Sequence, residues 1–412
     1  MKYLISVKND TIKCRITLPA SKSISNRVLI INALSYSPYP VRNLSVSDDT
    51  VVMANVLSSN SNKFDIGHAG TAMRFLTAFL AKIAGSWDIT GSDRMKQRPI
   101  GILVDALRKL GAKIEYSGEE GFPPLRILGT HLTGGSIELD GSISSQYITA
   151  LLLIAPTLEG GLSLCLQNRI TSGAYIKMTL ELMAHFGIHY SWEGNTIKIP
   201  EQSYIQKDFT VEADWSGASY WFLIAALAKK AEIELDNLTL KSFQGDAIIS
   251  EWFKDFGILT EKSEGGLRLV KTVSKKPQML KLDFVENPDL AQTMAALCVA
   301  EKVPFHFYGL HTLKIKETDR IEALQKELGK FGAILVESGN GELSWDGTIN
   351  RTHVQPNPVI STYNDHRMAM ALAPMAFTEN KVLIENPLVV TKSYPGYWDD
   401  LKRAGVEVEE KN

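Results

Sequence analysis

The feature that most limits what this chain can fold into is a helix that keeps ending the same way. An amphipathic stretch runs into a glycine, then a small or branched residue, then a strand-like run. It occurs as RPIGILVDALRKLGAKIEY from 98, YIKMTLELMAHFGIHYSW from 175, FQGDAIISEWFKDFGILTEK from 243, ETDRIEALQKELGKFGAILVES from 317 and YPGYWDDLKRAGVEVEE from 394. A degenerate copy, SDDTVVMANVLSSNSNKFDI, starts at 47. Gly111, Gly187, Gly257, Gly332 and Gly405 mark the same joint each time, because only glycine turns left-handed there at little cost. Successive copies lie about 70 residues apart, the first interval about 50, which indicates an internally repeated unit.

A second kind of helix alternates with the first. SKSISNRVLIINALS from 21, GTAMRFLTAFLAKIAG from 70 and SSQYITALLLIAPTLEG from 144 are apolar nearly all round. So are SGASYWFLIAALAKKAE from 216, PDLAQTMAALCVAEKV from 288 and DHRMAMALAPMAFTEN from 365. A helix without a polar face belongs inside a domain. Short alternating runs such as GSIELDGS, TIKIPEQ, GLRLVKT and KVLIENP read as strands between them. Each unit is thus β-α-β-α-β-β, the fold class α/β, and six units make two domains of three, with the chain crossing near 212–216.

Composition narrows the partners. With 44 basic against 46 acidic residues the formal charge is −2, so no global field draws the chain to nucleic acid or an anionic membrane. Cys14, Cys165 and Cys298 lie far apart without CxxC spacing, which argues against a disulfide framework or a zinc knuckle. The apolar stretch before Lys8 is too short for a signal peptide, and the longest apolar runs, around 148–156 and 221–228, are too short to span a bilayer. A cytoplasmic protein is expected. No GxxxxGK[ST], GxGxxG after a strand, GxSxG or HExxH occurs, and Gly187 separates His185 from His189, so neither a P-loop nor a zinc site is read here.

Against that near-neutral total, cations gather at helix starts, where the macrodipole disfavours them. Lys22 and Arg27 accompany Ser23; Arg74 follows Gly70 and Thr71; Arg94, Lys96 and Arg98 precede a helix expected to begin at Pro99. Lys314, Lys316 and Arg320 surround Glu317 and Asp319; Asp365, His366 and Arg367 share one start; Lys392 precedes another. Any one of these reads better as a solvated face, but six together point to a site for several anions. Ser144, Ser145, Gln146, Ser172 and Tyr175 add hydroxyl, amide and phenol groups at two further starts and read singly as ordinary caps. Asp289 is by itself an ordinary first-turn acid.

Taken in order and spacing, LPASKSISNR, HAGTAMR, RMKQRPIG, DGSISSQY, KETDRIEAL and TYNDHRMAM resemble the 5-enolpyruvylshikimate-3-phosphate synthase family. The resemblance implies two domains of three β-α-β-α-β-β units in pseudo-threefold arrangement, an inside-out α/β barrel. The domains would be residues 20–213 and residues 1–19 plus 214–412, with the active site in the cleft between them. It implies transfer of the enolpyruvyl group of phosphoenolpyruvate to the 5-hydroxyl of shikimate 3-phosphate, with no metal, no cofactor and a monomeric state.

Carried over residue by residue, the resemblance gives Asp289, Glu317 and Lys22 as proton-handling groups. The shikimate 3-phosphate side comprises Lys22, Ser23, Arg27, Ser144, Ser145, Gln146, Ser172, Tyr175, Asp289 and Lys316. The phosphoenolpyruvate side comprises Lys22, Gly70, Arg98, Gln146, Arg320, Arg367 and Lys392. Two positions depart from the family: His68 stands where Asn usually precedes AGTAMR, and Thr312 stands where many members carry a substrate-binding Asn, whose contact His311 could take over. The resemblance further implies that Gly70, not Ala, leaves room for the inhibitor glyphosate. The related UDP-N-acetylglucosamine enolpyruvyl transferases usually carry a reactive cysteine before the RP helix, and residues 86–98 contain none.

Overall fold

A computed structural model describes residues 1–142, 144–339 and 341–411. Ile143 of the DGSISSQY stretch, and Asn340 and Asn412 of the expected second domain, lie outside the described residues. The chain divides into two compact units, Ala20–Val211 and Met1–Pro19 with Glu212–Asn412. The return crossing therefore falls two residues earlier than the expected end at 213. Glu212 and Ala213 already accept hydrogen bonds from the Gln244 side chain, and Ala213 N–H donates to Asn237, which ties both residues to the second unit.

Within Ala20–Val211, the apolar helices Lys22–Leu34, Gly70–Lys82 and Ser145–Ile154 pack against one another. Within the other unit, Trp215–Leu227, Ala291–Glu301 and His366–Leu372 do the same. Burial is complete enough to explain the missing polar face: in Trp215–Leu227 every residue up to Ala226 is buried. At about 1.5–3 kcal/mol per large apolar side chain, such a helix is stable only inside its sheets.

The sheets repeat one pattern. Lys63–Asp65 runs parallel to Gly85–Thr90, which pairs antiparallel with Leu125–Gly129, itself antiparallel to Lys113–Tyr116. A buried helix supplies the long crossover that the parallel pair requires, and a turn suffices for the antiparallel pair. Among the described residues this four-stranded order recurs twice in Ala20–Val211 and three times in the other unit. There Thr11–Thr17 runs parallel to Lys230–Asp236, and Lys2–Ser6 lies between Lys381–Glu385 and Glu407–Lys411.

Several expectations are corrected. The copy from 47 keeps its helix, Asp48–Ser58, but its sheet is only the two-residue parallel pair Val41–Arg42 and Phe209–Thr210, and its KFD run opens the next sheet. The stretch from 243 is a 3-10 turn, Gly245–Ile248, followed by a four-residue helix, Ile249–Trp252, because the tighter turn carries Asp246 inward to Ser216 and Asn287. The RP helix starts at Gly101, not Pro99, and DRMK forms its own short helix, Asp93–Lys96. The helices from 144 and 365 pass into 3-10 turns at Ala155–Thr157 and Ala373–Met375, where Pro156 and Pro374 cannot donate to the preceding turn. The five stop glycines all adopt left-handed φ, between +78° and +96°.

Candidate active site

In Ala20–Val211 the helix starts converge on Arg27 and Arg74, which have no acid within ion-pair distance among the described residues, whereas exposed Lys96 pairs with Asp93 at 3.3 Å. Ser21, not Ser23, caps Lys22–Leu34 through Ile24 N–H, and Arg27 lies buried one turn on. Its guanidinium donates to Thr179 Oγ1 at 2.8 Å and Ser23 O at 2.8 Å, and more distantly to Thr149 Oγ1 and Tyr175 O. Those atoms belong to the starts or middles of Lys22–Leu34, Ser145–Ile154 and Gly173–His185, so three helices meet at one charge. Every one of these partners is neutral, and burial pulls the Arg27 pKa down to about 10.

Arg74 repeats the situation. It is buried, donates to Gly70 O at 3.2 Å and Pro99 O at 3.0 Å, and lies against the Tyr147 ring. Burial first and nearby Arg98 second lower its pKa to about 10. Sequence reasoning counted Arg74 among the clustered cations but gave it no substrate to bind. Arg98 lies directly over Gly70, where an added Cβ would come within 2.5 Å of its Nη1. Gln146 reaches Thr71 Oγ1 at 3.5 Å, and Ser144 caps its own helix through Gln146 N–H. Among the described residues, no carboxylate lies within ion-pair distance of Lys22, Arg27, Arg74 or Arg98.

Ser172 is buried and holds φ +56° without capping the helix it precedes. A left-handed serine costs about 1–3 kcal/mol and persists only where the surroundings impose it. Tyr175 sits half-buried one turn on, its ring against Arg27. Lys22, Ser23, Ser144 and Ser145 stand half-buried at their helix starts. His68, the departure from the family, bonds Ser92 at 2.8 Å and so closes the turn beside the Gly70 helix.

In the unit containing Glu212–Asn412 the cations are compensated, contrary to the expectation that they stand misplaced. Arg320 is 1 % exposed and donates to Asp289 at 2.9 Å, Glu317 at 2.9 Å and Asp365 at 2.6 Å. Burial works against its charge, but Asp365, Glu317 and Asp289 together outweigh that, holding the guanidinium above its usual range. Arg367 donates to the other Asp289 oxygen at 2.9 Å, so Asp289 bridges two guanidiniums. Asp365 also caps His366–Leu372 through Arg367 N–H.

Lys316 completes this cluster: burial lowers its pKa, with Asp289 opposing and Arg320 adding to the effect. Thr312 and His311 lie in the 3-10 turn His311–Ile315 just before it. Lys392 precedes the helix Tyr397–Arg403, as expected, and is itself the last residue of the 3-10 helix Pro387–Lys392; its ammonium donates to Asn364 O at 2.7 Å. Asp246 is a buried acid that sequence reasoning missed. Burial first and Asp289 second raise its pKa, and no local pattern in FQGDAIIS announces it.

The first unit can therefore receive anionic groups that supply the missing countercharge, and the second presents carboxylates already fixed by arginine. Cations lined by neutral groups can bind anions, and carboxylates held by guanidiniums can take part in proton transfer. Comparison with known proteins shows the family. Over 410 residues the chain is 53% identical to a 3-phosphoshikimate 1-carboxyvinyltransferase of Bacteroides fragilis, with 99% of each chain covered. It is 36% identical to one of Aliivibrio fischeri, covering 94% of this chain and 96% of that one. The fold is shared with a solved EPSP synthase of Acinetobacter baumannii at TM-score 0.79 and 20% identity, covering 99% of this chain and 100% of that one. Since the family model for EPSP synthase (3-phosphoshikimate 1-carboxyvinyltransferase) also matches residues 57–401, the chain belongs to that family.

Proposed function

We infer that this chain transfers the carboxyvinyl group of phosphoenolpyruvate to the 5-hydroxyl of shikimate 3-phosphate and releases phosphate, a step of aromatic amino acid biosynthesis. The observation that carries the reading is the family match over 57–401, which takes in residues of both units. No helix among the described residues is long and apolar enough to cross a membrane.

The chemistry follows from the charges. The 5-hydroxyl adds to C2 of the enol phosphate while C3 gains a proton; the tetrahedral adduct then loses phosphate from C2 and a proton from C3, leaving an enol ether. Asp289 accepts the hydroxyl proton, and Glu317 and Lys22 handle the proton at C3. Lys22, Ser23, Arg27, Ser144, Ser145, Gln146, Ser172, Tyr175 and Lys316 bind the acceptor, Arg27 gaining the countercharge it lacks. Gly70, Arg98, Arg320, Arg367 and Lys392 bind phosphoenolpyruvate. Cationic developing charge on C2 favours the fixed carboxylates, and the two substrates held together react as if in one molecule.

Phosphate release measured with both substrates tests the reading directly. Release is expected with shikimate 3-phosphate and not with a UDP-amino sugar; the reverse result, or binding without release, would overturn it. Gly70→Ala is expected to push Arg98 aside and raise the KM for phosphoenolpyruvate about tenfold, which steady-state kinetics would detect.

Lys316 sets an expected pH dependence. An ammonium is charged below its pKa and lost as pH rises through it, and here that pKa lies below the ordinary 10.5. Substrate affinity is therefore expected to weaken with rising pH before lysine's usual range is reached. Lys316→Arg, always charged, should shift that limb upward in a KM–pH profile.

A further inference from the structure

The turn in front of Arg367 adopts a backbone its sequence resists. Asp365 N–H donates to Thr362 O at 2.8 Å, and the two residues between, Tyr363 and Asn364, have φ +53° and +56°. Two successive positive values define a type I′ turn, where glycine, asparagine and aspartate are at home. Asn364 suits it. A tyrosine at the first central position does not, and such a conformation survives only if neighbouring groups impose it.

Glu327 is placed to impose it. Its carboxylate is 1 % exposed on the helix Arg320–Gly329. One oxygen accepts the Tyr363 phenol at 2.7 Å; the other accepts Ser361 N–H at 3.1 Å and the Lys330 ammonium at 2.6 Å. Lys330 in turn reaches Val359 O at 2.7 Å. On the far side Asn364 is held by Asn386 at 2.8 Å and by Lys392.

The same helix also grips the end of the turn. Arg320, about two helical turns before Glu327 and so on the same face, binds Asp365, and Asp365 caps the helix that carries Arg367. One rigid element thus holds the turn at Tyr363 and at Asp365.

We propose that Glu327 is a positioning residue for Arg367: through Tyr363 it fixes the turn that aims the Arg367 guanidinium at an incoming anion. This rests on the reading that Arg367 meets phosphoenolpyruvate. Tyr363→Phe removes the phenol alone, and Glu327→Gln removes the charge that Lys330 and the phenol share. Each is expected to raise the KM for phosphoenolpyruvate about fivefold to tenfold, with kcat and the KM for shikimate 3-phosphate changed by less than about twofold.

Tyr363→Asn places a turn-tolerant residue there and is expected to restore the KM in the Glu327→Gln background. Equal rises in both KM values, or no change in Tyr363→Phe, would overturn the proposal, and so would failure of the asparagine to rescue. Hydrogen exchange at amides 362–367 separates this from the functional reading. If the unaltered enzyme released no phosphate, faster exchange in Tyr363→Phe would still support the grip, and unchanged exchange would defeat it.

Discussion

Asp289→Ala is expected to lower kcat by about 10²–10⁴-fold, the range for losing a positioned proton acceptor. The KM for phosphoenolpyruvate should move by less than about tenfold. The asymmetry comes from the way the groups pair. Asp289 holds Arg320 Nη1 and Arg367 Nη2, each at 2.9 Å. Without it, Arg320 still has Asp365 and Glu317, and Arg367 becomes freer to meet an anion. Steady-state kinetics in both substrates is the measurement, and equal losses in kcat and in affinity would remove Asp289 from its role.

Arg320→Met is expected to be the most destabilising single change in the site. Breaking a buried ion pair from one side costs about 3–5 kcal/mol, because the remaining charge is left without compensation. Here Asp365 is 0 % exposed and two further carboxylates share the same guanidinium. The urea midpoint should fall accordingly, and a variant as stable as the parent would show that the cluster contributes nothing to folding.

Much of the architecture could be read in advance because its signals are local. A glycine that ends a helix must turn left-handed, and Gly111, Gly187, Gly257, Gly332 and Gly405 all do. A helix without a polar face must be buried, as Trp215–Leu227 is. The charge pattern was legible only by halves. Among the described residues Lys22, Arg27 and Arg98 stand without acids, as their placement at helix starts suggested.

Arg320 does not stand so, and the reason lies beyond any local pattern. Its partners Asp289 and Asp365 are 31 and 45 residues away in sequence and meet it only through folding. Asp246 was hidden for the same reason: its partners Ser216 and Asn287 lie 30 and 41 residues away. The stretch from 243 reads as a helix by periodicity, and tertiary contacts to Asp246 override it.

The placement of the first strand sets an order of events during synthesis. Lys2–Ser6 leaves the ribosome long before either of its neighbours, Lys381–Glu385 and Glu407–Lys411. Ala20–Val211, an unbroken run, can fold while translation continues, whereas Lys2–Ser6 must wait with bare backbone edges until its two neighbouring strands emerge. At about 5–20 residues per second that interval lasts on the order of tens of seconds. Over that time the unpaired edges of Lys2–Ser6 are open to pairing with another chain.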